Sequence, residues 1–151
     1  MIVKPMIFAA AALAFVAAPL ATAGTVTLEP IGTYASNVFD ESAAEIVAHD
    51  PKTQRLFVVN ANDATIDVLD IGDPSAPALV TSIDVGEAGT TLGAANSVAV
   101  SKGVLAVAIE ADPKQDPGIV AFYDTADLAL LGTVGVGALP ERSVARAVQQ
   151  Q

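Results

Sequence analysis

The chain has 151 residues, seven basic against seventeen acidic side chains, a formal net charge of −10, and no cysteine. That balance disfavours nucleic acid and anionic membrane surfaces as partners, because their phosphates need Lys and Arg to neutralise them. Without thiols there are no disulfides, no thiolate metal sites and no lipid-modified cysteine.

Residues 1–23 read as a secretory signal peptide. Lys4 supplies the positive start, Met6–Ala18 the apolar run and Pro19 the break, and Ala21-Thr22-Ala23 is a small-residue cleavage site. The apolar run is too short for a stable membrane anchor. Cleavage makes Gly24 the first mature residue and leaves six basic side chains. Export followed by life without disulfides fits a bacterial periplasm or the extracellular space.

Thr25–Tyr34 is expected to form a first strand, which Pro30 restricts to an edge or a bulge. Four strands then follow in close succession: Glu45–Asp50, Arg55–Asn60, Thr65–Asp70 and Ala78–Asp84. Between them stand Pro51-Lys52-Thr53-Gln54, Ala61-Asn62-Asp63 and Gly72-Asp73-Pro74 through Pro77. Proline fixes φ, and Asn, Asp and Gly tolerate tight turns, so the chain reverses at each break. Leu56-Phe57-Val58-Val59 is apolar at successive positions and should be buried on both faces, whereas Ile66 and Val68 alternate with Asp67. Such a meander is the pattern of a propeller blade.

A second set repeats the first: Asn96–Ser101, Val104–Ile109, Gly118–Asp124 and Leu128–Val134. Aligning Thr33, Ser82 and Thr133 gives steps of 49 and 51 residues. A repeat of that length signals blades, since one sheet cannot bury both of its faces alone. Between the second and third of these strands, Glu110 to Pro117 carries two Asp-Pro pairs and reads as a surface loop. The expected fold is therefore all-β: a partial β-propeller of about two four-stranded antiparallel blades plus an N-terminal strand, spanning 24–140. Residues 141–151 fall off the pattern. Propellers need about four to eight blades, so the chain reads as a truncated one.

Certain of these residues resemble a known family. Phe39-Asp40-Glu41-Ser42-Ala43-Ala44-Glu45-Ile46-Val47, Arg55-Leu56-Phe57-Val58-Val59-Asn60, Ala95-Asn96-Ser97-Val98-Ala99-Val100 and Val107-Ala108-Ile109-Glu110-Ala111-Asp112-Pro113 are similar to the choice-of-anchor I domain. That family is related to the mesenchyme-specific cell-surface glycoprotein and to YVTN-type propellers. The resemblance runs from about Leu28 to Leu139. It implies a secreted or surface-displayed propeller, mostly without assigned activity, with some relatives resembling phytase-like or phosphatase proteins.

Propeller connectivity sorts the loops onto two rims. One rim gathers Asp40 and Glu41, Asn60, Asn62 and Asp63, Glu87, Asn96, and the loop with Glu110, Asp112 and Asp116. Oxygen ligands of this kind suit calcium, so Glu110, Asp112, Asp116, Asp40 and Glu41 are its candidate ligands, against the plainer alternative of solvated turn acids. His49, the lone histidine, reads as a hydrogen-bonded structural residue rather than a base. Phe57, Phe122 and Tyr123 read as core or blade-to-blade packing. No nucleophile with a placed base is recognisable, and few Lys or Arg are available to hold phosphate. The expected function is a non-enzymatic binding or surface-interaction module for a protein or small-molecule ligand, able to self-associate through exposed blade faces. The alternatives are a metal-dependent phytase-like or alkaline-phosphatase-like phosphoesterase, in which a cation polarises phosphate, and a fragment without function of its own.

Overall fold

A computed structural model describes residues 26–36 and 44–140. Eight strands follow one another: β1 Val47–Asp50, β2 Arg55–Asn60, β3 Thr65–Asp70, β4 Ala78–Asp84, β5 Leu92–Ser101, β6 Val104–Ala111, β7 Ile119–Asp124 and β8 Leu130–Gly135. They form two antiparallel four-stranded sheets in sequential order, β1-β2-β3-β4 and β5-β6-β7-β8. A single 3₁₀ turn, Val85–Ala88, joins them, capped by the Asp84 side chain accepting from the Gly86 N–H. Among the described residues the arc is not closed, which is consistent with a partial propeller.

The turns explain why the strands fall where they do. Gln54, Ala64, Lys102 and Leu128 each take a positive φ just before or beside the start of the next strand. A left-handed residue closing a short turn is a common way to join strands with the right twist. Asp50, Asp73 and Asp124 fold their carboxylates back onto turn N–H groups of Lys52, Ser75 and Ala126. These are the local bonds that make Asp a turn former.

Register decides which side chains meet. Arg55 opposes Asp70 and Val104 opposes Asp124, so the two sheets can be superposed residue by residue. Phe57, Val59, Ile66 and Val68 of the first sheet face the second, and there meet Val98, Leu105, Val107, Ile109, Ala121 and Tyr123. In the second sheet the positions equivalent to that first group are Ala106, Ala108, Val120 and Phe122. They lie on its far side, where Ala99 and Val136 complete a smaller apolar cluster. Each sheet thus offers the same face to its successor, which is the geometry a propeller requires.

Three expectations need correction. The N-terminal strand does not form: residues 26–36 join neither sheet. Edges of the β3 and β7 type are already paired with β4 and β8. Instead, Gly32 lies against the Pro74 carbonyl and the Pro77 ring, where a Cβ would collide. The far face of the second sheet is not simply bare either. Val136 N donates to the Gly118 carbonyl at 2.9 Å, continuing the β7–β8 ladder past its last strand pair, Pro140 is buried against Gly118, and Ala106, Ala108 and Val120 on that face are buried. Exposed apolar side chains stand instead on the outermost strands, at Leu79, Val80, Leu130, Leu131 and Val134. Lastly, β5 begins at Leu92, earlier than its apolar core suggested, because register shifts around Ala95 let it bend and continue. The signal segment 1–23 and the tail 141–151 lie outside the described residues.

Truncating Leu105 to alanine, in the middle of the inter-sheet core, should cost about 2–5 kcal/mol in chemical denaturation. The same change at exposed Leu131 should stay within about 0.5 kcal/mol.

Candidate functional site

The end of β6 delivers Glu110 into the structure rather than to the surface. Its side chain is buried, its Oε1 lies 2.9 Å from Lys114 Nζ in the following loop, and its Oε2 accepts from Asn96 Nδ2 at 3.2 Å. Hydrogen bonding to Glu110, reinforced by its charge, holds the Lys114 ammonium above its usual range. The loop is shaped by a cis bond at Asp112–Pro113, by Asp112 N donating to Thr91 O, and by Asp116 N donating to Pro113 O. Asp112 and Asp116 are both exposed.

The expected calcium ligands are therefore only partly assembled. Glu110, Asp112 and Asp116 share one loop, but Glu110 is engaged by a cation and an amide. Asp40 and Glu41 lie outside the described residues. Among the described residues no three acidic or imidazole groups converge in a metal-binding arrangement. Calcium takes six or more oxygens, and the described residues of this loop bring Glu110 to Lys114 and Asn96 instead. On the same rim Asn60 Nδ2 donates to Asp63 at 3.1 Å and approaches Asp67 at 3.4 Å, while Ser82 Oγ donates to Asp67 at 2.7 Å. Asn60 and Asp67 stand where the second sheet has Ile109 and Ala121. The outer side of the first sheet thus carries a polar knot in place of core. His49 is exposed on β1 and bonds to no described residue, since it points to that outer side rather than into a core.

The opposite rim holds an arrangement that sequence reasoning missed. Arg55 Nη1 donates to the carbonyls of Thr125 and Ala126, each at 2.8 Å, and so ties the first sheet to the turn between β7 and β8. Asp50, its cross-strand neighbour, is buried and accepts from Lys52 N at 3.1 Å and Thr53 Oγ1 at 2.8 Å. Burial pushes the Asp50 carboxyl up, but the nearby Thr125 hydroxyl and the Lys52 and Thr53 donors outweigh it and hold the group below its ordinary value. The Thr125 hydroxyl is itself buried, close to that carboxylate yet short of good hydrogen-bond geometry. The sequence signal was available: Asp50-Pro51-Lys52-Thr53 is an Asp-led turn, and Arg55 is the only cation in β2. The carbonyls it finds are backbone atoms seventy residues away, which no pattern in side chains encodes.

Tyr123 completes the inter-sheet contact. Its ring is buried and its hydroxyl has no partner among the described residues. Burial, and after it the negative charges of Glu87 and Asp84, push its ionisation upward.

Comparison with known proteins adds a family. A model of the choice-of-anchor I domain matches residues 45–144. No match was found among curated proteins. Among solved structures, a hypothetical selenium-binding protein from Sulfolobus tokodaii is similar at 17% identity and a TM-score of 0.46, over 56% of this chain and 20% of that one. The chain thus spans about a fifth of that protein's length.

Two outcomes follow from the site. Asp50 binds its proton less readily when folded, so its stabilising contribution is complete above its unfolded value near 3.8 and is lost as pH falls below it. Asp50→Asn should flatten the acid limb of a stability–pH profile and lower stability at neutral pH by about 1–3 kcal/mol, through the weakened turn. Tyr123→Phe removes a buried hydroxyl without a partner, so thermal unfolding should show no loss, or a gain of up to about 1 kcal/mol.

Proposed function

Because the chain belongs to the choice-of-anchor I domain family, we propose that it works as an exported, surface-associated interaction module that binds a protein or small-molecule ligand without turning it over. The observation that supports this best is the exposure of Leu79 and Val80 on β4 and of Leu130, Leu131 and Val134 on β8. Apolar side chains gathered on outward strands are what a contact surface needs. Several polar groups of the two rims, by contrast, are engaged in turns, in the Arg55 clamp and in the Glu110–Lys114 pair. No helix among the described residues is long and apolar enough to cross a membrane.

Fractionation with N-terminal sequencing tests the reading. The chain should leave the cytoplasm and begin at Gly24; a cytoplasmic product that keeps Met1 would sink it. Calcium at the loop of Glu110, Asp112 and Asp116, joined by Asp40 and Glu41, is a separate proposal on the same molecule. It requires Glu110 to give up Lys114 for the metal. Calorimetry should then show a calcium-dependent rise in the unfolding midpoint that the Glu110→Gln/Asp112→Asn double change abolishes. No shift with calcium removes the metal, and calcium-dependent phosphate release from phytate would replace a binding module with a phosphoesterase.

A further inference from the structure

Two parts of this chain have complementary needs. Residues 26–34 form no helix, turn or strand, and none of them hydrogen-bonds to another described residue. Val26 is 85% exposed and Leu28 90%, and they alternate with Thr27 and Glu29 in the two-residue period of a strand. At the other end of the arc, all six residues of β8 are exposed and the strand's outer edge pairs with no other described strand. Leu131 and Val134 stand 57% and 55% exposed there, and the strand carries no charge, proline or inward-turned polar group to guard it. An unguarded apolar edge is a template for an added strand.

We propose that Val26–Tyr34 is a donor strand that pairs with the β8 edge of a second copy of this chain. Within its own chain the segment rests on the first sheet, with Gly32 against Pro74 and Pro77, away from β8. The other outer edge, β4, is a poorer acceptor, because it ends in Thr81, Ser82 and Asp84. Nine donor residues are enough to cover a six-residue edge. Pro30 fits too: an added strand becomes the new edge, where a missing N–H that faces outward costs nothing. Glu29 is the only charge in the donor and β8 has none, so no like charges meet in the seam despite the net −10 of the chain. The contact is heterologous, since donor and acceptor are different surfaces, and it leaves one of each open at the ends of every assembly. It goes beyond the proposed function and depends on no ligand.

Sedimentation velocity of the processed full chain over a concentration series, with Leu28→Glu and Val134→Lys, tests it. Both substitutions fall on exposed side chains, and circular dichroism checks that each variant folds. The wild type should grow in mass with concentration, more so at higher salt, which screens the overall negative charge. Each variant alone should stay monomeric. Their equimolar mixture should form a two-chain species and stop, because Val134→Lys keeps an intact donor and Leu28→Glu an intact acceptor. A wild type that is monomeric throughout would overturn the proposal. So would association that survives Leu28→Glu but not Val134→Lys, since that pattern belongs to symmetric pairing of two β8 edges.

Discussion

Neither sheet could stand alone, and the apolar layer between them is what the rest of the structure depends on. Phe57, Val59, Ile66 and Val68 from one side, with Leu105, Val107, Ile109 and Tyr123 from the other, leave water together. Removing apolar area from water is worth about 25 cal/mol per Å², and a single four-stranded meander has only one face to gain it from. The hairpin turns fix register, and register decides which residues point into this layer. A slip of one residue in β2 would exchange Phe57 and Val59 for Leu56, Val58 and Asn60. The Arg55 clamp on the Thr125 and Ala126 carbonyls then pins the two sheets at one rim. The Val85–Ala88 turn connects them at the other.

That layer also orders the two outer faces. On the far side of the second sheet, Ala106, Ala108 and Val120 are buried, with Phe122 packed against them. On the opposite side, Asn60 and Asp67 interrupt the apolar surface with a bonded polar knot. Burying a carboxylate against plain hydrocarbon costs several kcal/mol unless it is paired. The first sheet is therefore not interchangeable with the second: its outer side carries a polar knot whose groups bond one another.

Much of this was legible in the sequence, and the reasons are specific. Pro51, Asn62-Asp63, Gly72-Asp73-Pro74 and Lys102-Gly103 mark reversals by local chemistry alone, so β2, β3 and β4 fall where the pattern put them, and β6 and β7 start within a residue of it. The N-terminal strand failed because strand propensity says nothing about where the segment packs, and Gly32 rests against Pro74 and Pro77 beside the first sheet. Glu110 was read as a surface ligand because its loop is polar; its burial follows from β6 running on to Ala111 and from Lys114 folding back. Arg55 could be noticed but not understood, since its partners are main-chain carbonyls brought near by the packing of two sheets.

The central claim is that the inter-sheet layer makes one cooperative unit of two meanders. Native-state hydrogen exchange on the wild type and on Phe57→Ala tests it most directly. Amides in β2 and β3 and those in β6 and β7 should share a common opening free energy, and the substitution in the first sheet should lower protection in both sheets by the same amount. Loss of protection confined to β1–β4, with β6 and β7 unchanged, would contradict the account.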